Sequence, residues 1–466
     1  SAAVVVSRTV AHGSDVTTLA DRQRGRAEVD VERLCAVAIA ALGELVAEGR
    51  RRTAAGDGLE VACIGVTGQQ HGVALLGEDG RALGPAITWQ DQRGAEPAPG
   101  GDGSVVDHLV RAAGGAEAFA RMGCQPATGY LGVSLCWLKL LQRLPPPGSV
   151  ACFIPDVLAA RLADCAPVVD ATNGGSSALF DIVAGDWDWG LIRRLGLPPA
   201  LFPPVRASGA PLGGLSRALA ERVGLAPGTP VAVAVGDNQA SFIGSVPRPA
   251  ECLLVNVGTG AQVSAWVESY GREAELDTRA YPGGGYLLAG AGLFGGTSYA
   301  LLQGLFWAVG QEMFGAADDT PLYARMTALA AATPPGADGL RWSPHFSGTR
   351  ADPGQRGVLS GLSAANLTPG HLARALLEGV AEALWALCAR MQPRVGARPW
   401  LVGAGNALRQ NAVLQEAVAA RFGQPLHLAP QVEEAALGAA LMAAAGVGAY
   451  ASVQDATARW QTHPSA

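Results

Sequence analysis

Residues 231–235 are five small apolar side chains in a row, stopped by Gly236, and Asp237 is the first charged residue after them. A short unbroken apolar run closed by a turn residue predicts a fully buried strand. Residues 238–245 then suit a helix start, with Asp237 or Asn238 as its cap. The same grammar recurs along the chain. In the first half, residues 4–9, 60–66, 73–76, 86–89 and 150–153 read as strands, and 30–50, 134–144 and 156–162 as helices. In the second half, 253–257, 263–267, 286–289 and 400–402 read as strands, and 297–309, 368–391 and 433–445 as helices. Strands alternating with helices predict an α/β protein. The break Pro227-Gly228-Thr229-Pro230 divides a first domain, 1–228, from a second, 229–466.

Composition narrows the class. Of 466 residues, 49% are apolar and 16% charged, which supplies large cores and little disorder. A net charge of −6 argues against a nucleic-acid partner, which calls for a basic stripe. Eight cysteines stand singly, without a CxxC pair, so no structural metal site is expected and a reducing cytoplasm fits. The opening residues carry no basic leader, and the longest apolar run, 435–450, falls short of the roughly 20 residues of a membrane span.

The candidate chemistry lies at the ends of the strands. Gly258-Thr259-Gly260, Gly295-Gly296 and Gly403-Ala404-Gly405 are glycine-rich turns in the second half. Such turns bring backbone N–H groups close to phosphate oxygens, and a threonine adds a hydroxyl donor. None matches a P-loop or a dinucleotide fingerprint. The first half places Gln69, Gln70 and His71, then Gln90, Asp91 and Arg93, and Asp156, just past its strands. Amides, carboxylates and an arginine suit a polyhydroxylated ligand, and Trp89 and Tyr130 offer an apolar wall for a sugar. Each residue also has a plain structural reading: Asp237 as a helix cap, His71 as a packed histidine, Asp91 with Arg93 as a surface ion pair. Together the halves suit a phosphoryl transferase in which Asp237 takes a hydroxyl proton.

Taken together, these residues make the chain resemble the FGGY carbohydrate kinases, of the actin-like ATPase superfamily. The segment 235–240 (VGDNQA) resembles the family's catalytic segment, 256–261 (NVGTGA) its second phosphate loop, and Gly403-Ala404-Gly405-Asn406 with Asn411 its adenosine loop. Residues 356–362 (RGVLSGL), then His371, Arg374 and Glu378-Gly379, resemble its C-terminal signature. Within the family, 65–73 (GVTGQQHGV) and 88–93 (TWQDQR) resemble sedoheptulokinases most, with xylulokinases a close rival. The resemblance implies two actin-like (ribonuclease H-like) domains with an interdomain cleft. It also implies ATP with Mg²⁺, a ketose substrate, most readily sedoheptulose, and a monomer or homodimer. Asp237 would be the general base. Gln70, His71, Trp89, Asp91, Tyr130, Asp156 and Asn238 would line the sugar site. Gly258, Thr259, Gly260, Gly296, Gly403, Ala404, Gly405 and Asn406 would hold the nucleotide.

The sequence departs from the pattern in two places. Gly132-Val133-Ser134-Leu135 lacks the lysine that members carry near this tyrosine. The chain also opens at what resembles the family's third strand, without the Asp-x-Gly-Thr-Thr phosphate loop. This leads to the expectation of an absent natural start, and of a non-catalytic sugar sensor as the alternative to a kinase.

Overall fold

The structure is a computed structural model that describes residues 3–53, 58–101, 103–315, 322–346, 348 and 354–460. Its largest sheet has six strands, in the order Asp277–Ala280, Tyr286–Phe294, Gly260–Val267, Cys252–Val257, Trp400–Ala404 and Leu426–Leu428. The first four pair antiparallel, and the last two join Cys252–Val257 in parallel. Period-two burial explains the pairing. Ala261, Val263, Ala265 and Val267 turn to one core with Leu253, Val255 and Val257. That core is closed by the long helix Pro369–Val395 through Leu377, Leu384 and Met391. Cys252 and Leu254 turn to the opposite face, where Phe242, Ile243, Leu437 and Leu441 cover them. Each fully buried Leu, Val or Phe contributes about 1.5–3 kcal/mol, so both faces of the sheet hold it in place.

The second face fixes the segment that carries Asp237. The helix Asp237–Ser245 lies against Glu434–Gly446, a helix rich in Ala and Gly. A Cβ on Gly438 would stand 1.8 Å from the Ala240 carbonyl oxygen, and one on Gly244 would stand 1.9 Å from that of Glu434. The two backbones touch, which only glycine at both positions permits. The apolar run 435–450 is therefore a tightly packed helix as far as Gly446. Among the described residues no helix is long and apolar enough to cross a membrane.

In the first half the described strands pair in twos. Thr67–Gly68 runs parallel to Val235–Gly236, and Ala74–Leu76 runs antiparallel to Val150–Cys152. This pairing ties the apolar run 231–235 to the first half, past the division expected after residue 228. Two expected strands are largely missing. Residues 4–9 pair with no described strand, and Val4 and Val5 are 47% and 44% exposed. Residues 60–66 contribute one bridge, Ile64 to Val231, and regular pairing starts only at Thr67. An apolar run becomes a strand only where a neighbour's N–H and C=O groups are offered to it. The helices fare better: those expected at 30–50 and 134–144 are Val31–Thr53 and Leu131–Leu140.

Candidate active site

The parallel strands Thr67–Gly68 and Val235–Gly236 end side by side, which brings the segments beginning at Gln69 and Asp237 together. Asp237 is not the helix cap. Gly236 holds the N-cap position, and Asp237 is the first helical residue. Its carboxylate opens on a cavity of about 380 Å³ with Gln70, His71, Trp89 and Asn238. Burial pushes the carboxyl up from 3.8 to about 6, against the pull of Arg279 and of the backbone N–H groups of Asn238 and Asp237.

The neighbouring side chains are held in one orientation each. Gln70 donates Nε2 to the Thr172 carbonyl (2.7 Å), which leaves Oε1 to accept from Arg279 Nη1 (3.2 Å). His71 has a positive φ of 72°, uncommon for a side-chain-bearing residue. Its N–H donates to Ser176 Oγ, and Nδ1 stands 3.0 Å from the Ser176 carbonyl. A carbonyl only accepts, so Nδ1 carries the proton in this contact. The ring stacks on Tyr130 at 4.2 Å. Tyr130 is thus buried behind His71 and does not line the cavity. Asn238 donates to Gln262 Oε1 (3.0 Å), and its own buried Oδ1 has no hydrogen-bond partner among the described residues.

Two expected sugar ligands lie elsewhere. Asp91 is fully buried and takes the Ala27 N–H, the Arg93 N–H, and Arg93 Nε and Nη2, the last two at 2.7 and 2.9 Å. Its ion pair with Arg93 is a buried one, not the surface pair read from the sequence. Asp156 accepts from the Phe153 N–H at the start of the helix Ile154–Ala163, and its other oxygen has no partner among the described residues. Burial and then nearby Asp170 raise its carboxyl well above the usual carboxylate range. Neither residue is on the cavity wall.

The glycine turns converge. The Gly296 N–H donates to the Gly258 carbonyl (2.8 Å), and the Thr297 N–H and Oγ1 donate to that of Thr259 (3.1 and 3.0 Å). Gly405 has φ +88°, and a Cβ there would stand 2.5 Å from both Asn256 Oδ1 and the Val257 carbonyl oxygen. At Gly258 a Cβ would meet nothing within 4 Å, so the turn faces open space, and Thr259, Gly260 and Asn406 are exposed. Gly403 and Ala404 are instead buried in the strand Trp400–Ala404, where the bare Cα of Gly403 accommodates Leu408, Leu426 and Leu428.

Asn256 joins the two regions, since it lines the cavity beside Asp237 and also abuts Gly405. The sequence reading missed it as a site residue, along with Ser241, Gln262 and Arg279. For Arg279 the sequence offers only Asp277-Thr278-Arg279, two opposite charges on one face of a short polar strand, which does not single it out. Among the described residues no three His, Cys, Asp or Glu side chains gather as a metal site.

A polar cleft with a poised carboxylate, set beside glycine turns on an actin-like α/β scaffold, defines a sugar phosphotransferase. The chain belongs to the FGGY family of carbohydrate kinases, matching its N-terminal domain over residues 4–244 and its C-terminal domain over 254–447. It is 27% identical to the sedoheptulokinase of Homo sapiens over 404 residues, covering 82% of this chain and 80% of the relative. The xylulose kinase structure from Rhodospirillum rubrum superposes with a TM-score of 0.78 at 28% identity, covering 95% of this chain and 86% of that one. The Plasmodium falciparum glycerol kinase with ADP, at 19% identity, shares the fold, with a TM-score of 0.78 over 98% of this chain and 88% of its own. The fold is therefore α/β with two actin-like domains.

Proposed function

We propose that the chain transfers the γ-phosphoryl group of ATP to a hydroxyl of a ketose, most readily sedoheptulose, with Asp237 as the general base. The observation that carries this reading is the place of Asp237. It stands on a sugar-sized cavity, one residue contact from converging glycine turns, with its carboxyl lifted to about 6. A base with that value is mostly ionised at neutral pH, yet holds a proton far better than an ordinary aspartate.

Asn238 Oδ1 accepts from a sugar hydroxyl, His71 lines the same cavity, and Trp89, 51% exposed, supplies an apolar face for C–H groups. The turns at Gly258–Gly260 and Gly405 give the polyphosphate a place to lie, and the Gly296 N–H braces the first of them by donating to the Gly258 carbonyl. Mg²⁺ would enter with the nucleotide and offset the charge on its phosphates, which would call for few protein ligands. As the hydroxyl oxygen bonds to the γ-phosphorus, its proton passes to Asp237 and the bond to the β-phosphate oxygen breaks, releasing ADP.

ADP release measured with sedoheptulose, D-xylulose, D-ribulose and glycerol tests the reading. The expected order puts sedoheptulose first and D-xylulose second. Glycerol as the best substrate overturns the ketose assignment, and no ADP release with any of them overturns the kinase.

A further inference from the structure

Arg279 is a guanidinium inside a sugar-sized cavity, and the transfer from ATP to the sugar hydroxyl gives it no part. It sits on Asp277–Ala280, an edge strand of the large sheet, and it reaches across to Gln70 of the first half. Two partners fix it. Nη2 meets Asp277 Oδ2 at 3.1 Å, and Nη1 meets Gln70 Oε1 at 3.2 Å. Gln70 cannot turn round, because its Nε2 is committed to the Thr172 carbonyl. The Asp277 side chain is only 4% exposed, so the cation is neutralised where it stands.

We propose that Arg279 forms a subsite for a proton-free oxygen of the ketose, its carbonyl or ring oxygen, next to the hydroxyl that Asp237 deprotonates. The inference rests on the kinase reading. A guanidinium carries five N–H donors and no acceptor. Gln70 and Asp277 take two of them, and others remain for a ligand in the cavity that Arg279 lines. Because Asp277 balances the charge, the subsite suits a neutral oxygen rather than a carboxylate or phosphate. A carbonyl or ring oxygen brings lone pairs only. A polyol hydroxyl at the same spot brings a proton that needs its own acceptor, so the subsite favours ketoses over polyols.

The same cation faces Asp237. The other charged or titratable groups around that carboxylate are His71 on the cavity wall, Asp277 behind Arg279, Asp170 behind Gly236 through Thr172, and Glu434, paired with Arg409, on the packed helix. Arg279 is the one that holds Asp237 toward its ionised form.

The test is steady-state kinetics of wild type, Arg279→Gln and Arg279→Lys with sedoheptulose and with glycerol, across pH 5–8. For Arg279→Gln, kcat/KM for the ketose falls about 10- to 100-fold, glycerol loses far less, and the acid limb moves up by about one pH unit. Arg279→Lys keeps the charge but not the fork, so it holds the acid limb and still loses ketose preference. Equal losses on both substrates with an unmoved limb indicate a structural role and overturn the subsite, as does an Arg279→Gln enzyme indistinguishable from wild type. If Arg279→Gln does not fold, the ketose-to-glycerol ratio of Arg279→Lys decides, and an unchanged ratio overturns the subsite. A wild-type chain that phosphorylates no sugar overturns the kinase reading and the subsite with it. An active wild type beside an unaffected Arg279→Gln removes the subsite alone.

Discussion

Replacing Asp237 with Asn removes the base while keeping the shape of the side chain. At pH 7 a carboxyl at about 6 is roughly nine-tenths ionised, so nearly all of the wild-type protein is ready to take a proton. A positioned general base supplies about 10²- to 10⁴-fold, or about 3–5 kcal/mol of barrier. Asp237→Asn is expected to lose that much turnover and to bind the sugar within a few-fold of wild type.

Its stability moves the other way. Folding raises this carboxyl from 3.8, so the folded chain holds the proton more tightly than the unfolded chain does. That stabilisation is complete below 3.8 and lost by about 6, which leaves a cost of about 1–3 kcal/mol at pH 7. The amide carries no such cost, and Arg279 keeps Asp277 as its partner, so no cation is orphaned. Calorimetric melts should show Asp237→Asn a few degrees more stable at pH 7, with the gap closing as pH falls toward 4. ADP release tracks turnover, and titration calorimetry tracks sugar binding. Turnover within tenfold of wild type, or a variant less stable at pH 7, refutes the reasoning.

Three further outcomes are expected. The kcat/KM of the wild type should fall as pH drops through about 6, tenfold per unit below it, and a flat profile down to pH 5 means that another group is the base. Asp91→Asn breaks a fully buried pair with Arg93, so a loss of about 3–5 kcal/mol in denaturant melts is expected, with sugar KM little changed in the folded fraction. A sugar-specific KM defect without a stability loss would return Asp91 to the substrate site. Gly405→Ala puts a Cβ 2.5 Å from two oxygens at φ +88°, so the ATP KM should rise about tenfold or more while sugar affinity stays, as nucleotide titrations can measure.

Features with local causes were legible in the sequence. The burial of the run 231–235 and the helix behind Asp237 are set by neighbours in sequence and stand in the structure, although the run forms two short strands, Pro230–Ala232 and Val235–Gly236, and Gly236 is extended rather than a turn. The long helix Pro369–Val395 was legible for the same reason, with Thr368 capping it and regular apolar spacing along it. Residues 4–9 and 60–66 have strand-like composition, but a strand depends on a partner that composition does not reveal. Asp91 and Asp237 are both carboxylates just past strands. What separates them is Arg93, which folds back onto Asp91 from two residues on, whereas the residue two on from Asp237 is Gln239. Arg279 was out of reach because its importance comes from register: the edge strand Asp277–Ala280 brings it to Gln70, 209 positions earlier. Gly403 and Gly405 look alike in sequence, yet one fills a packed interior and the other turns the chain beside Asn256.

The most direct test is a crystal structure with sedoheptulose and a non-hydrolysable ATP analogue bound together. One sugar hydroxyl is expected within about 3.2 Å of the Asp237 carboxylate and in line with the γ-phosphate, which rests on the turn at Gly258–Gly260. A sugar seated away from Asp237, for instance in the separate cavity lined by Cys124, Tyr270 and Thr278, contradicts the assignment of Asp237 as the base.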